Sequence, residues 1–354
     1  MDQKADEHAL RMLQNQLRPL RAYLEDDAVQ EIMINSCNDI WIERCGSVFR
    51  VEEVLPETNL SSAIKAIASI NSKNASKIMD ARLPGIRVAA VQDPIAVKGN
   101  AMCIRKHTQL RVTLDSYLAS GALEVLGAEQ VVEKHARPDD GLVLKGGLGV
   151  VEFLRWAVAS HKNILVSGST SSGKTTLLNA LIAEIAKPEI SREDRILTIE
   201  DTAELKVDSP NHIGLEANAE HEVTIRNLVR LALRMRPDRI IVGEIRGAEA
   251  YDLLDALNTG HSGGFCTMHA DSALMALTRL ESMVRMHPDA ANLPLEALRS
   301  QIASTFRFVI HAARRKGQRG PDEIIELLGV RDGEYQSRTV FSRVGVDLSK
   351  ENSL

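Results

Sequence analysis

Beyond residue 160 the chain switches repeatedly between short apolar runs and longer stretches whose apolar residues recur every three or four positions. Residues 163–167, 195–200, 239–242 and 264–268 read as buried strands, and 176–185, 224–234, 248–258 and 272–285 carry the helical period. Strands alternating with helices in this way predict a mostly parallel sheet with helices on both faces. The first third of the chain has another rhythm. Residues 8–24 and 60–71 have helical spacing, while 31–35, 39–44, 48–51, 86–92 and 101–105 alternate as strands. Turn chemistry such as Cys45-Gly46, Asp93-Pro94 and Lys98-Gly99-Asn100 separates them. The expected architecture is α/β, with a smaller N-terminal α+β domain at 1–135, a linker at 136–150 and the parallel-sheet domain at 151–345. Pro138-Asp139-Asp140-Gly141 and Gly146-Gly147 punctuate the linker, a helix at 150–160 follows, and the tail from Phe306 reads as a small strand-rich appendage.

The chemistry concentrates between the strand at 163–167 and the helix at 176–185. There Gly168-Ser169-Thr170-Ser171-Ser172-Gly173-Lys174-Thr175 fills every fixed position of the pattern G-x-x-x-x-G-K-[ST]. The two glycines let backbone N–H groups turn inward and an anionic phosphate chain approach them, and the helix adds its positive N-terminal end. Lys174 should reach the β- and γ-phosphates and the Thr175 hydroxyl should ligate Mg²⁺, with Thr176 completing the nucleotide-contacting run. The fold expectation sharpens to a P-loop NTPase domain, with a nucleoside triphosphate and Mg²⁺ as its ligands.

In an open parallel sheet the ligand lies beyond the carboxyl ends of the strands. Glu200-Asp201, Glu244 and His269 each directly follow an apolar strand run. Hydrolysis needs a carboxylate near the attacking water and support for Mg²⁺, tasks that Glu200 and Glu244 can share. The residues do not separate their roles. Gly243 stands where many P-loop ATPases carry Asp. His269 reads either as a structural or surface histidine or, near a triphosphate, as a γ-phosphate sensor rather than a proton carrier, and His261, in the turn Gly260-His261-Ser262-Gly263-Gly264, is a weaker candidate whose plain reading is a turn residue.

Bulk composition narrows the function classes. Lys and Arg total 43 against 48 Asp and Glu, a net charge of −5, which argues against bulk attraction to nucleic acid. Two Trp, four Tyr and six Phe are too few for a base-stacking platform, so neither a DNA translocase nor sequence-specific nucleic-acid binding is expected. The four cysteines form no C-x-x-C, which excludes a zinc cage and a disulfide framework and fits a reducing cytoplasm. No apolar run nears the roughly 18 residues of a membrane span, and the polar start carries no signal-peptide pattern.

Four separated blocks then coincide. The P-loop, Ile199-Glu200-Asp201-Thr202-Ala203-Glu204-Leu205, the stretch from Leu233 to Gly247 around Ile240-Ile241-Val242-Gly243-Glu244, and Thr259 to Ala270 ending Thr267-Met268-His269-Ala270 resemble the Walker A, Asp-box, Walker B and His-box motifs of the type II/type IV secretion ATPases. Gly243-Glu244 is then a family feature. Trp41-Ile42-Glu43-Arg44, Ile104-Arg105-Lys106 and Thr113-Leu114-Asp115-Ser116-Tyr117 extend the resemblance to the N-terminal domain of the conjugative-transfer branch, TrbB-type and VirB-type.

The resemblance implies a RecA-like fold for the second domain, ATP with Mg²⁺ as its ligands, and a hexameric ring ATPase, cytoplasmic and peripherally docked at the inner membrane, that powers substrate translocation and pilus assembly. Its implied partners are copies of itself, inner-membrane secretion or conjugation proteins including other ATPases, and an exported protein or nucleoprotein. It also implies that the first domain forms the ring and responds to nucleotide state, with Arg87 and Arg105 reaching the nucleotide. The absence of the four-cysteine motif common in type II export motors points towards conjugation or type IV secretion. A pilus-retraction or type II-like secretion motor, and a nucleotide-gated assembly module with little turnover, stay as alternatives. The stretch 8–24 reads as a helix packed on its own domain, or as one lying on lipid.

Overall fold

The computed structural model describes residues 3–70, 77–106, 112–126, 146–187, 193–218 and 221–344. Two compact units divide at Leu110 and Arg111. The sequence set the joint at 136–150; residues 136–145 of it lie outside the described residues. Residues 114–123, assigned above to the first domain, pack inside the second unit, where Leu114, Tyr117 and Leu123 share a core with Val150 and Leu154.

The first unit is an antiparallel sheet with helices on one face. Strands β1 (Val29–Ser36), β2 (Asp39–Arg44), β3 (Ser47–Val51), β4 (Ile78–Leu83), β5 (Ile86–Val91) and β6 (Ala101–Lys106) lie in the order β3-β2-β1-β6-β5-β4. Alternation sends Ile32, Ile34, Ile40, Ile42, Val88 and Ile104 into a core closed by Leu13 of α1 (Gln3–Gln16), by Leu17 just beyond it, and by Leu60, Ile64 and Ile67 of α3 (Glu57–Ile70). The helix expected over 8–24 is broken: Pro19 lacks an N–H and locks its φ, so the chain makes a short 3₁₀ turn at Arg18–Leu20 before α2 (Arg21–Glu25). Leu13, Leu17 and Leu20 are fully buried in the unit's own core, which takes the apolar face that a lipid surface would need.

The second unit holds the alternating pattern. After α4 (Leu114–Ala119) and α5 (Gly147–Ala159) come β7 (Ile164–Gly168), α6 (Lys174–Ile185), β8 (Ile196–Glu200), β9 (His212–Glu216), α7 (Ile225–Ala232), β10 (Arg239–Val242), α8 (Glu249–Asn258), β11 (Phe265–His269), α9 (Ala273–Arg285) and α10 (Leu295–Thr305). Three strands finish the chain, β12 (Phe308–Arg315), β13 (Gln318–Arg331) and β14 (Glu334–Ser342). The sheet order is β14-β13-β12-β7-β11-β10-β8-β9, with every pair from β12 to β9 parallel. The tail is therefore no appendage: β12 inserts beside β7, extending the main sheet. Strands β7, β8 and β10 are buried throughout because helices cover both faces. Leu165, Leu197 and Ile240 face the core under α7–α10, and Ile164, Val166 and Ile196 face that under α5 and α6. Among the described residues no helix is long and apolar enough to cross a membrane.

Candidate functional site

β7 is flanked by β11 on one side and β12 on the other, so the loop leaving it at Gly168 emerges mid-sheet at the carboxyl ends of the strands. The loop's backbone is turned for an anion. Ser171 has φ +57° and Gly173 φ +96°, conformations that aim successive N–H groups into a common hollow ahead of α6. Gly168 is required by close approach: a Cβ there would lie 2.4 Å from the Ala312 carbonyl oxygen and 2.4 Å from Ser172 Oγ. Ser172 Oγ is itself shielded from solvent and has no hydrogen-bond partner. A bare cradle, an orphaned hydroxyl and a helix N-terminus fit a phosphate chain. Ser169, Thr170 and Ser171 are exposed around the cradle, and Thr175 and Thr176 are half-buried on the first turn of α6.

Lys174 is only 8% exposed, and its Nζ donates to the carbonyls of Gly168 (3.0 Å) and Ser169 (2.9 Å). It also stands 3.3 Å from His269 Nδ1 at the end of β11. An ammonium can only donate, so Nδ1 accepts and the ring proton sits on Nε2, which faces Glu244 Oε1 at 2.9 Å. That last contact is close enough for charge but out of line for a hydrogen bond. Glu244 Oε2 accepts from Arg246 Nη2 (2.6 Å), and Arg246 Nη1 donates to Asp201 (3.0 Å). The fold thus joins Lys174, His269, Glu244, Arg246 and Asp201 into one polar chain running off the phosphate loop. Burial, then the Lys174 ammonium, hold His269 below the ordinary imidazole value against the pull of Glu244.

Glu200 ends β8 and is only 6% exposed. Its Oε1 accepts from the N–H groups of Glu204 (2.9 Å) and Leu205 (3.0 Å), which fix the Asp-box turn. Burial outweighs those bonds and raises its pKa to about 7. Gly243 explains itself here: a Cβ at that position would lie 3.0 Å from Glu200 Cγ. Thr175, with Glu244 or Glu200, supplies the oxygen donors that suit Mg²⁺, an ion that takes few protein ligands and keeps waters and phosphates for the rest.

The remaining candidates belong to other elements. His261 Nδ1 donates to the Ala256 carbonyl (3.2 Å), before the N-terminal end of β11 and away from the loop. Arg87 and Arg105 are cross-strand partners on β5 and β6 of the first unit. Arg87 grips Asp80 with two bonds (3.0 and 2.6 Å), and both arginines line a cleft of about 650 Å³ together with Glu31, Met33 and Cys103. Arg246 and His311 carry no assignment in the sequence. Arg246 stood in plain sight two residues after Glu244, whereas His311, bonded through Nδ1 to Ser167 Oγ at 3.0 Å, gains meaning only from its register beside β7.

A family model described as type II/IV secretion system protein matches residues 14–316. A type IV secretion system protein PtlH homolog from Bordetella bronchiseptica is 37% identical, covering 90% of this chain and 94% of the relative. The conjugal transfer protein TrbB of Rhizobium radiobacter is 33% identical, covering 89% and 88%. The pilus retraction motor PilT, solved with bound ADP, shares the fold at 19% identity and a TM-score of 0.58, covering 87% of this chain and 80% of that one. With the phosphate loop, the Asp-box turn, Gly243-Glu244 and His269 gathered at the carboxyl edge of one sheet, the chain belongs to the type II/IV secretion system ATPase family.

Proposed function

We propose that this chain hydrolyses ATP and, as a hexameric ring, turns that hydrolysis into work on a conjugative or type IV secretion machine. The observation that carries the chemistry is the row of close polar contacts from Lys174 through His269 to Glu244 and Arg246. It gives the phosphate loop a direct line to a carboxylate two strands away. The relatives' names, a type IV secretion protein and a conjugal transfer protein, support the biological setting.

In this reading the loop from Gly168 to Thr176 holds the triphosphate, and Lys174 exchanges its loop carbonyls for β- and γ-phosphate oxygens. Neutral His269 then meets the γ-phosphate with its ring and reports its loss to Glu244. Glu200, buried and titrating near neutrality, takes the proton of the attacking water; a base is most effective when its pKa lies near the working pH. Thr175 and Glu244 would hold Mg²⁺, which when bound neutralises charge between the β- and γ-phosphates. Arg87 and Arg105 of the first domain add charge at the nucleotide and make that domain responsive to its state. The ring works at the cytoplasmic side of the inner membrane, docked through partner proteins and acting on an exported protein or nucleoprotein.

Steady-state phosphate release from Mg²⁺ and ATP tests the reading. Turnover by the wild type that falls at least about a hundredfold in Glu244→Gln supports a motor. Tight nucleotide binding with negligible release by the wild type would replace it with a nucleotide-gated assembly module.

A further inference from the structure

We infer that Arg319, on the β12–β13 hairpin, is a nucleotide-affinity residue that engages the α-phosphate and nucleoside end of the ligand, the part shared by ATP and ADP. The inference rests on the nucleotide site proposed above and adds a residue to it that no motif marks.

β12 reaches register with the phosphate loop at Ala312 opposite Gly168, then continues for three residues before the turn at Lys316-Gly317. The hairpin therefore overshoots the sheet edge from which the phosphate loop springs. On its returning strand Arg319 lies against the loop: a Cβ on Gly173 would meet Arg319 Cβ at 3.3 Å and Cδ at 3.7 Å. Its aliphatic stem thus runs along the residue that opens α6. The platform is rigid. Gln318 Nε2 donates to the Ser120 carbonyl (2.5 Å), Arg315 holds Asp322 with two bonds (2.8 and 2.7 Å), and Gly320 fits against Tyr117 and Ala122 with a Cβ allowance of only 3.3 Å.

Sheet order fixes which end of the nucleotide this is. Across β13-β12-β7-β11-β10, Arg319 lies on one flank of β7, while His269 and Glu244 lie on the other. A triphosphate whose γ-phosphate meets His269 extends its other end towards the hairpin. A guanidinium there pairs with phosphate oxygens or stacks on a base, and it does so equally before and after hydrolysis.

The full chain would be titrated with methylanthraniloyl-labelled ADP and with an equally labelled non-hydrolysable ATP analogue, both with Mg²⁺. Arg319→Ala should weaken both about tenfold, the scale of one charge-assisted contact, with KM for ATP rising in step and kcat falling by less. Arg319→Lys, which keeps the charge and loses the planar fork, should fall between the two and reports even if the alanine variant does not fold. Unchanged affinity for both labels overturns the inference, as does a loss confined to the ATP analogue, which would put Arg319 at the γ-phosphate. A wild type that binds neither label refutes the nucleotide site itself.

Discussion

At the scale of single residues the site divides its carboxylates by environment. Glu244 is held by the Arg246 guanidinium, whereas Glu200 is enclosed by β8, Gly243 and the Asp-box turn. Its pKa rises from 4.5 to about 7, so between those values the folded chain holds a proton that the unfolded chain has released. The stability that goes with the neutral carboxyl is complete below pH 4.5 and is lost as pH climbs through about 7, a loss of up to about 3 kcal/mol. Glu200→Gln stays neutral throughout. It should therefore gain stability over the wild type at pH 8 and little at pH 5, as read from urea unfolding midpoints; equal offsets at both pH values would contradict the burial argument. The same proton predicts that kcat/KM rises through about pH 7 as Glu200 is freed to act as a base.

At the scale of elements, the phosphate loop depends on a strand that has no part in the motif. β12 presses the Ala312 carbonyl against Gly168, so Gly168→Ala should cost ~2 kcal/mol or more and abolish nucleotide binding, because backbone cannot move aside as a side-chain tip can. An unchanged thermal midpoint in that variant would show the contact to be slack. Much of this architecture was legible beforehand. Strands β7, β8, β10 and β11 are short apolar runs because both their faces are covered, and β7, β10 and β11 are each followed by a helical period. β9 escaped notice: five residues with Gly214 at the centre, at the sheet edge, they never form a buried run. β4, with Asp80 and Arg82 interleaved among its apolar residues, and α10 were equally silent. The insertion of β12 beside β7 is long-range pairing, which local pattern does not encode, and with it went the roles of His311 and Arg319.

For the whole molecule, the two units carry separate cores, so each folds around its own apolar residues. The ring assembly proposed here predicts a sixfold mass by light scattering with Mg²⁺ and a non-hydrolysable ATP analogue. A persistent monomer under those conditions would remove the hexamer from the account. Charge reversal at Arg105, exposed on β6, should impair ATP turnover far more than the stability of the first unit, since an exposed arginine contributes little to folding. The central claim is that ATP is bound and split at the loop ending in Lys174. Its most direct test is phosphate release from Mg²⁺ and ATP by the wild type and by Lys174→Ala, both verified as folded. The account predicts turnover in the first and a fall of at least about a hundredfold in the second; equal release from both would contradict it.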